Sequence, residues 1–541
     1  MTAEIQPTNA PALSGGSRYD CVVIGGGHNG LVCAAYLARS GRSVCVLEAA
    51  EEVGGAAVTR EFTPGFRVSA CAHLLHSMSG SVIQELQLER HGLTVAATRL
   101  ATTALSEDGA ALMLTGNRVR ALQGSACSAA DGTAYPGYAA RLEQFARALG
   151  PVLESVPPRL GTDSWQDRRA LFGLGWRIRR LGRQQMRELL RIGGMSVYDL
   201  LRDNFNSPLL QGALAFDAVL GTNLGPRSPG SVFTLLYRLA ACATADTSQY
   251  GGVLMQPGGG LGALSRALAG AAEAAGARVR TGAIVQRIVV RNDRAAGVVL
   301  SSGESIEAET VISNADPKST FLRLLGVEHL DTEFVRRVSH LRTQGVAAKL
   351  HLALESLPNF TGVPREALGG RILLSPSMDY LERAYNHSKY REVSASPALE
   401  ITLPTVNDPS LAPQGQHVLS AVVQYAPYTV AGGWEGERGR FTSRIIELLE
   451  ASAPGLRRSI RATQLLAPPD LEREFRITGG HWHHTDLALD QFFMVRPVPG
   501  AAQYRTPLPG LYLCGAGCHP GGGVMGAAGR NAARQVLARA A

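Results

Sequence analysis

A glycine-rich turn between an apolar run and a helical segment is the feature that most restricts the fold of this chain. Residues 19–24 are mainly β-branched and apolar, which is typical of a buried parallel strand. Gly25, Gly27 and Gly30 follow in the pattern Gly-x-Gly-x-x-Gly, and a helix and a second strand are predicted over 31–48. The sequence therefore predicts one compact βαβ unit near its beginning.

The end of the second predicted strand carries an acidic residue, Glu48, 18 residues after Gly30. The glycines of the turn let the backbone approach a pyrophosphate at the helix N-terminus, where free N–H groups and the helix dipole attract anions. A carboxylate at the position of Glu48 accepts hydrogen bonds from ribose hydroxyls and disfavours a 2′-phosphate. The pattern predicts a bound dinucleotide but does not choose between NAD and FAD.

A second glycine-rich segment lies close to the C-terminus. A short predicted strand at 511–514 is followed by Gly515, Gly517 and the run 521–523, and then by a helix. The positive end of such a helix stabilises the anion formed when a flavin is reduced, so this segment favours FAD. His519 either faces the flavin or the substrate, or is a loop histidine bonded to backbone; we name it as a candidate catalytic residue.

Five motifs, taken together, resemble the carotenoid/retinoid oxidoreductase family of amine-oxidase-like flavoproteins, which includes phytoene desaturases and retinol saturase. The resemblance covers nearly the whole chain from residue 18, and it is greatest to a branch named for a pyridine nucleotide-disulphide oxidoreductase domain. The motifs are Val-Val-Ile-Gly-Gly-Gly-His-Asn-Gly-Leu-Val at 22–32, Val-Gly-Gly-Ala-Ala-Val-Thr at 53–59, Gly-Pro-Arg-Ser-Pro-Gly at 225–230, Ser-Asn-Ala-Asp-Pro at 313–317 and Cys-His-Pro-Gly-Gly-Gly-Val-Met-Gly-Ala-Ala-Gly-Arg-Asn at 518–531.

This resemblance implies further contacts with FAD. Gly54 and Gly55 would lie against the phosphates, and Val285 would meet the adenine through its backbone. Many relatives carry Arg directly after the glycine pair, but here the residue is Ala56, so we expect no Arg–phosphate contact from this position. The other residues expected around the cofactor are Gly515, Gly517, Gly523 and Met525.

We predict an α/β fold, with a Rossmann-like FAD-binding domain and an inserted mixed α+β substrate domain. The segment 86–245 is predicted to be mostly helical, and residues 1–17 are predicted to be a flexible tail. The expected segments are 18–85, 246–330 and 476–541 for the FAD-binding domain, and 86–245 and 331–475 for the substrate domain.

Lys349 is the second candidate catalytic residue. It is one of only three lysines and lies in a predicted strand, 346–354, on the same face as Ala347 and His351. A lysine in a buried strand is costly unless it is paired or its pKa falls. Its position is similar to that of the strand lysine that amine oxidases hold near flavin N5 through a water. The alternative is an edge-strand lysine that faces solvent.

Three other chemistries are not expected. His481, His483, His484 and Asp486 match no usual metal-ligand spacing, and adjacent histidines do not easily share one strand face. The eight cysteines include no Cys-x-x-Cys pair, which argues against a redox disulphide. The turn at 258–262 lacks the spacing of a second nucleotide motif, so we expect no tightly docked NAD(P)H.

The charge pattern bears on partners and location. A net charge of +8 is small for a chain of 541 residues, so it does not indicate a protein that binds nucleic acid. The basic, partly amphipathic segment 168–191 is either a docking surface for an anionic membrane or a solvated helical face. With no apolar run of membrane-spanning length and no signal sequence, we expect a cytoplasmic protein, free or peripheral to the membrane, and a mitochondrial matrix protein if the source is eukaryotic. The sequence leaves the oligomeric state open.

Three functional hypotheses follow. The first is an FAD-dependent dehydrogenase or desaturase that moves hydride from an apolar, polyene-like or retinoid-like, or other small organic substrate to flavin N5, with oxygen or a quinone as acceptor. The second is a flavin amine oxidase, which Lys349 favours. The third is a regulatory protein that FAD stabilises and that acts through a protein partner.

Overall fold

A computed structural model of the chain describes residues 17–244 and 254–538. Residues 1–16 of the predicted tail lie outside the described residues, as do the predicted beginning of the second cofactor segment, 246–253, and the last three residues of the chain.

The described residues form nineteen strands and fifteen α-helices. The strands are β1 (Arg18–Ile24), β2 (Val44–Leu47), β3 (Thr59–Thr63), β4 (Phe66–Ser69), β5 (Val95–Ala97), β6 (Thr102–Leu105), β7 (Ala111–Thr115), β8 (Arg118–Gln123), β9 (Gln256–Pro257), β10 (Arg278–Arg280), β11 (Val285–Arg291), β12 (Arg294–Leu300), β13 (Ser305–Ser313), β14 (Ala347–Leu354), β15 (Arg371–Leu374), β16 (Ala398–Thr402), β17 (His417–Gln424), β18 (Ile460–Leu466) and β19 (Leu511–Leu513). The helices are α1 (His28–Arg39), α2 (Gly80–Glu85), α3 (Ala129–Leu153), α4 (Trp165–Arg180), α5 (Gly182–Ile192), α6 (Val197–Arg202), α7 (Pro208–Val219), α8 (Ser231–Thr244), α9 (Leu261–Ala274), α10 (Thr332–Ser339), α11 (Met378–Lys389), α12 (Trp434–Ser452), α13 (Leu456–Ser459), α14 (Pro468–Phe475) and α15 (Ala527–Leu537).

The first sheet has seven strands and carries the glycine-rich turn. Its order is β10-β2-β1-β13-β12-β11, with β19 paired to the far end of β13. β10, β2, β1, β13 and β19 run parallel, and β11 and β12 form an antiparallel hairpin that continues the sheet. The apolar run of β1 is buried, since β1 lies between β2 and β13 and packs against α1. α1 packs between α9 and α15, which brings the glycine-rich turn and the C-terminal loop together.

The second sheet has eight strands in the order β18-β14-β17-β16-β15-β6-β7-β8. All neighbouring pairs are antiparallel except β15 with β6. β14 lies between β17 and β18, and all eight of its residues are buried. The edge-strand alternative for Lys349 is therefore wrong: the lysine lies in the interior of the sheet.

The predicted α/β fold class is confirmed. The domain boundaries stay a prediction. The mostly helical prediction for 86–245 is wrong over β5–β8, although helices α3–α8 occupy 129–244. The Ala, Leu and Met residues of β6 and β7 are good helix formers, but tight turns at Gly109 and Gly116, both with positive φ, fold the segment into antiparallel strands. Pairing with β15, far along the chain, fixes them as strands.

In residues 17–244 and 254–538, no helix is long and apolar enough to cross a membrane.

Candidate active site

A long cavity runs along the carboxyl ends of β1, β2 and β13, and we call it the nucleotide cavity. This is the place where open α/β sheets bind nucleotides. The glycine turn and the segments around Gly54 and Asn314 form one part of its wall. Its lining includes Gly25, Gly27, His28, Asn29, Glu48, Gly54, Gly55, Ala56, Val285, Asn314, Trp482, His484 and Ala516.

Two of the predicted glycines leave no space for a side chain. A Cβ on Gly30 would lie 2.2 Å from the carbonyl oxygen of Gly25, so only glycine lets α1 begin this close to β1. Gly54 has a φ of +127°, and a Cβ there would lie 2.7 Å from the carbonyl oxygen of Ala57. A Cβ on Gly27 would meet the side-chain nitrogen of Asn314 at 2.7 Å. The glycines therefore shape the wall of the nucleotide cavity.

Glu48 lies in the nucleotide cavity, where the sequence places it at the end of β2. One carboxylate oxygen, Oε2, accepts a hydrogen bond of 2.7 Å from the N–H of Gly26, and Oε1 accepts one of 2.9 Å from the N–H of Ala50. These bonds fix the carboxylate while each oxygen keeps a lone pair for another donor. Glu48 therefore presents free acceptor sites in the nucleotide cavity.

Two histidines in the walls of the nucleotide cavity have buried nitrogens without partners among the described residues. They are Nε2 of His28 and Nδ1 of His484. Burial lowers the pKa of each of these residues to about 4, so both rings are neutral near pH 7 and each can donate one hydrogen bond. Unpartnered buried donors beside a glycine-rich cleft can bond a ligand there, so the residues present fit a bound dinucleotide.

A second cavity adjoins the first and is lined mainly by apolar side chains; we call it the apolar cavity. The two share His28, Ala56, Trp482 and Ala516 in their walls. The apolar part of the lining includes Ala57, Ala72, Leu74, Ala218, Leu220, Ala241, Val422, Leu487, Val524 and Met525. Tyr237 on α8 donates a 2.6 Å hydrogen bond to the carbonyl of Gly522, which holds the C-terminal loop against this cavity.

One wall of the apolar cavity is polar and belongs to a buried chain of hydrogen bonds. His73 donates from Nε2 to Oε1 of Glu400 at 2.8 Å, and its Nδ1 accepts from Nζ of Lys349 at 2.6 Å. His73 and Glu400 line the cavity, whereas Lys349 lies behind them and is fully buried. Lys349 therefore reaches the cavity through His73.

The chain continues from Glu400 through a buried arginine. Arg371 donates from Nε to Glu400 at 2.5 Å and from Nη2 to Asp217 at 2.6 Å. Nε of Arg238 lies 3.3 Å from the same aspartate. Burial opposes ionisation of Asp217 and Glu400, but the charges of Arg371 and Arg238 together with the hydrogen bonds to each carboxyl outweigh it, so the pKa of each carboxyl stays below its ordinary value. Both acids are therefore anionic.

Burial also changes the proton affinity of the two basic members. It lowers the pKa of Lys349 from 10.5 to about 7. Burial, reinforced by the charge of Lys349, lowers the pKa of His73 to about 4. Near pH 7 His73 is neutral with its proton on Nε2, while Lys349 exchanges between the ammonium and the amine. A buried amine poised near neutrality is an unusual feature that marks functional sites more often than structural ones.

The other predicted site residues are placed differently. Gly523 and Met525 line the apolar cavity. Gly515 and Gly517 line neither cavity but let the loop approach Asn314 and Pro317, where a Cβ would lie within 2.6 Å. His519 also lines neither cavity. Its Nε2 lies 2.9 Å from the carbonyl oxygen of Val152, so the structure favours the alternative of a loop histidine bonded to backbone.

Single residues of the histidine-rich segment 481–486 line the two cavities. Trp482 lines both cavities, His483 the apolar cavity and His484 the nucleotide cavity. Arg496, fully buried, fixes this segment to the C-terminal loop by donating hydrogen bonds to carbonyls of both, among them Ala516 at 2.9 Å. No cluster suited to a metal ion occurs in residues 17–244 and 254–538.

All eight cysteines are free thiols. One of them, Cys71, lines the apolar cavity, and burial raises its pKa to about 11, so it is a thiol and a weak nucleophile near pH 7. The site therefore does not have the reactive cysteine pair of a disulphide reductase.

Six polar residues in or directly behind this wall were not predicted from the sequence: His73, His76, Asp217, Arg238, Arg371 and Glu400. A signal for two of them was present. Arg371 and Glu400 interrupt apolar strand segments, Arg-Ile-Leu-Leu and Ala-Leu-Glu-Ile-Thr, as Lys349 does. A buried charge needs a buried partner, so three such residues in neighbouring strands could have been considered together.

A glycine-rich cavity at the carboxyl ends of parallel strands, next to a mainly apolar cavity, is typical of nucleotide-dependent oxidoreductases. The model of the family "Flavin containing amine oxidoreductase" matches residues 30–537. The chain belongs to this family, and it is a flavin-dependent oxidoreductase. The resemblance deduced from the motifs is confirmed.

Relatives and solved structures extend this finding. The chain is 38% identical to the mouse "Pyridine nucleotide-disulfide oxidoreductase domain-containing protein 2", over 98% of this chain and 96% of that protein. It is 27% identical to a lycopene-forming phytoene desaturase of a Paracoccus species, over 63% of this chain and 64% of the relative. A putrescine oxidase mutant superimposes with a TM-score of 0.62 at 17% identity, covering 97% of this chain and 99% of that chain, and so shows a shared fold.

Proposed function

We propose that this protein binds FAD in the nucleotide cavity and oxidises a C–H bond of an apolar substrate held in the apolar cavity. The observation that carries the proposal is the junction of the two cavities at His28, Ala56, Trp482 and Ala516. A dinucleotide that occupies the first cavity would present its redox ring to whatever occupies the second. Oxygen or a quinone would then take the electrons.

FAD fits this cavity better than a mononucleotide. The lining extends from Glu48 and Val285, at the end suited to adenosine, past the glycine turn to Trp482 and Ala516. Glu48 would bind the ribose hydroxyls, and the glycine turn and Gly54 and Gly55 would lie along the pyrophosphate.

When bound, the flavin supplies the redox chemistry, because it accepts hydride from carbon. The residues of the chain orient the substrate and exclude water. Trp482 and Leu487 form apolar walls, and the neutral His73 holds its proton at Nε2 toward Glu400. Lys349 fixes this tautomer through Nδ1 of His73 and is therefore a positioning residue.

The lining supports an apolar substrate. Most side chains of the second cavity are Ala, Leu, Val and Met, and such pockets select by shape and by the removal of apolar surface from water. The phytoene desaturase among the relatives acts on a polyene, as its name states. A polyene or retinoid is thus the first class to test.

Anaerobic mixing with a panel of polyenes, retinoids and amines tests the proposal. The expected result is bleaching of the visible flavin absorbance by an apolar compound, and recovery of the colour on admission of oxygen or a quinone. A protein that carries flavin but is bleached by no member of the panel would contradict the proposed reaction and favour the regulatory alternative.

The amine oxidase alternative has one observation in its favour, the buried amine of Lys349. Bleaching by amines with release of peroxide, and none by polyenes, would establish that alternative in place of the first.

We further propose that α4 and α5 dock on an anionic membrane surface. Trp165, Phe172 and Trp176 lie at spacings of seven and four on α4 and are 74%, 72% and 56% exposed. The rings of Phe172 and Trp176 stack with centroids 6.3 Å apart. Residues 165–192 contain eight arginines against Asp167 and Glu188, a net +6 out of +8 for the whole chain. Exposed aromatic residues among arginines are typical of helices that lie at a lipid interface.

Sedimentation with vesicles tests this surface. The holoprotein should bind vesicles that contain phosphatidylserine and not those of phosphatidylcholine alone. Substitution of Trp165, Phe172 and Trp176 by serine should abolish binding, while the matched control Tyr390→Ser, at an equally exposed site of 76%, should not. Unchanged binding of the triple variant, or a dimer that the triple variant loses, would overturn the membrane assignment.

A further inference from the structure

The polar wall of the apolar cavity contains an arginine whose hydrogen-bond donors are not all accepted by described residues. Arg238 lies on α8, lines the cavity and keeps 16% of its side chain exposed there. Its one ion-pair contact is the 3.3 Å approach of Nε to Asp217. Among the described residues, neither Nη nitrogen is bonded to an acceptor, whereas Arg371 next to it uses Nε and both Nη nitrogens.

A buried guanidinium needs acceptors, because it has five N–H donors and cannot lose its charge in a protein. The two nearby carboxylates cannot supply them all. Asp217 and Glu400 are each already bonded by Arg371, and Glu400 also accepts from His73. The free face of Arg238 is therefore directed at whatever enters the cavity.

The net charge of the polar wall also favours an anionic ligand. Asp217 and Glu400 carry two negative charges and Arg371 and Arg238 two positive ones, so these four cancel. Lys349, joined to them through His73, adds a positive charge whenever it is protonated. The wall then has one positive charge in excess, and an entering anion would neutralise it.

A second unpartnered polar group lies in the same cavity. His76 lines it, and the buried Nδ1 of this ring has no partner among the described residues. Burial, with the charge of Arg238 next in effect, lowers the pKa of His76 to about 3, so the ring is neutral and can donate one hydrogen bond.

We propose that Arg238, with His76 beside it, binds a carboxylate head group, so that the substrate is an apolar chain or ring system ending in a carboxylic acid. The guanidinium would hold the two carboxylate oxygens side by side, the geometry that arginine favours. The apolar side chains of the cavity would hold the body of the substrate. This inference rests on the proposed function, which places the substrate in the apolar cavity. It adds that the polar end of the substrate is a carboxylate.

Calorimetric titration of the flavin-loaded protein with decanoate and with decanol, two probes that differ only in the head group, tests the proposal. Decanoate should bind more tightly than decanol. Arg238→Gln should weaken decanoate binding by about 10- to 100-fold, the loss expected for charge-assisted hydrogen bonds, and leave decanol unchanged. Arg238→Lys, which keeps the charge but loses the paired donors, should fall between the two.

The control is Arg365→Gln, at an exposed site outside the cavity, which should bind both probes like the native protein. Equal affinity of the native protein for the two probes, no binding of decanoate, or a decanoate affinity that Arg238→Gln leaves unchanged would overturn the proposal. Flavin content and flavin bleaching are measured separately, so a failure of the redox function is distinguished from a failure of the head-group site.

Discussion

The two joined cavities are built by different means. At the nucleotide cavity, Gly27, Gly30 and Gly54 let neighbouring segments approach closely, since a Cβ on each would lie within 2.7 Å of another atom. The apolar cavity is formed by side chains that come from distant segments, such as His73, Asp217 and Glu400. A site made by backbone geometry depends on glycine and tolerates few alternatives, whereas a site made by side chains can change its ligand by substitution.

We expect the largest loss of flavin binding when a glycine of the turn is replaced by a residue with a side chain. Gly30→Val would place a Cβ where the carbonyl oxygen of Gly25 lies 2.2 Å away, so α1 must shift from β1. We expect loss of flavin and at least a 100-fold weaker affinity for added FAD, from a misplaced phosphate site. Gly137→Val, at an exposed helical position with no atom within 4 Å, is the control and should keep its flavin.

A polar change in the same cavity should cost less. Glu48→Gln replaces one carboxylate oxygen by a donor that opposes the N–H of Gly26 or Ala50, and removes the charge that would bind ribose. We expect FAD to bind about 10- to 100-fold more weakly, as for the loss of one or two charge-assisted hydrogen bonds. Titration of the apoprotein measures this. Glu51→Gln, an exposed neighbour, should match the native protein.

A substitution behind the polar wall of the apolar cavity should slow flavin reduction without changing flavin binding. Lys349→Met removes the donor to Nδ1 of His73 and leaves the ring held only through its bond to Glu400. We expect flavin content to stay unchanged and anaerobic flavin reduction to slow by about tenfold, since one lost charge-assisted hydrogen bond is worth about 1.5 kcal/mol. Lys389→Met, on the surface, is the control. Loss of flavin from Lys349→Met would contradict the separation of the two cavities.

The smallest effect is on thermal stability. Because burial lowers the pKa of Lys349 from 10.5 to about 7, the unfolded chain holds more protons than the folded one between these values. The contribution of Lys349 to stability therefore rises with pH across this window and is lost as the pH falls toward 7. The Tm of the native protein should rise relative to that of Lys349→Met by a few degrees between about pH 7 and pH 9. Parallel Tm curves for the two proteins would contradict the low pKa.

The difference between the two cavities also explains which parts of the fold and of the site could be predicted from the sequence. The glycine turn, Glu48 and β13 are encoded by short contiguous motifs, because backbone geometry imposes residue type at fixed spacing. The polar wall could not be predicted, since Lys349, His73 and Glu400 meet through the pairing of β14, β17 and β16 and a loop 276 residues from the lysine. Strand β6 was missed for the same reason, because its partner β15 is remote in sequence.

The measurement that tests the central claim most directly is the flavin content of the purified protein. The visible absorbance, with chromatography of the cofactor released on denaturation, should show FAD at about one molecule per chain, as expected for one dinucleotide cleft. Purified protein that contains no flavin and takes up none when FAD is added would contradict the claim that the nucleotide cavity is a flavin site.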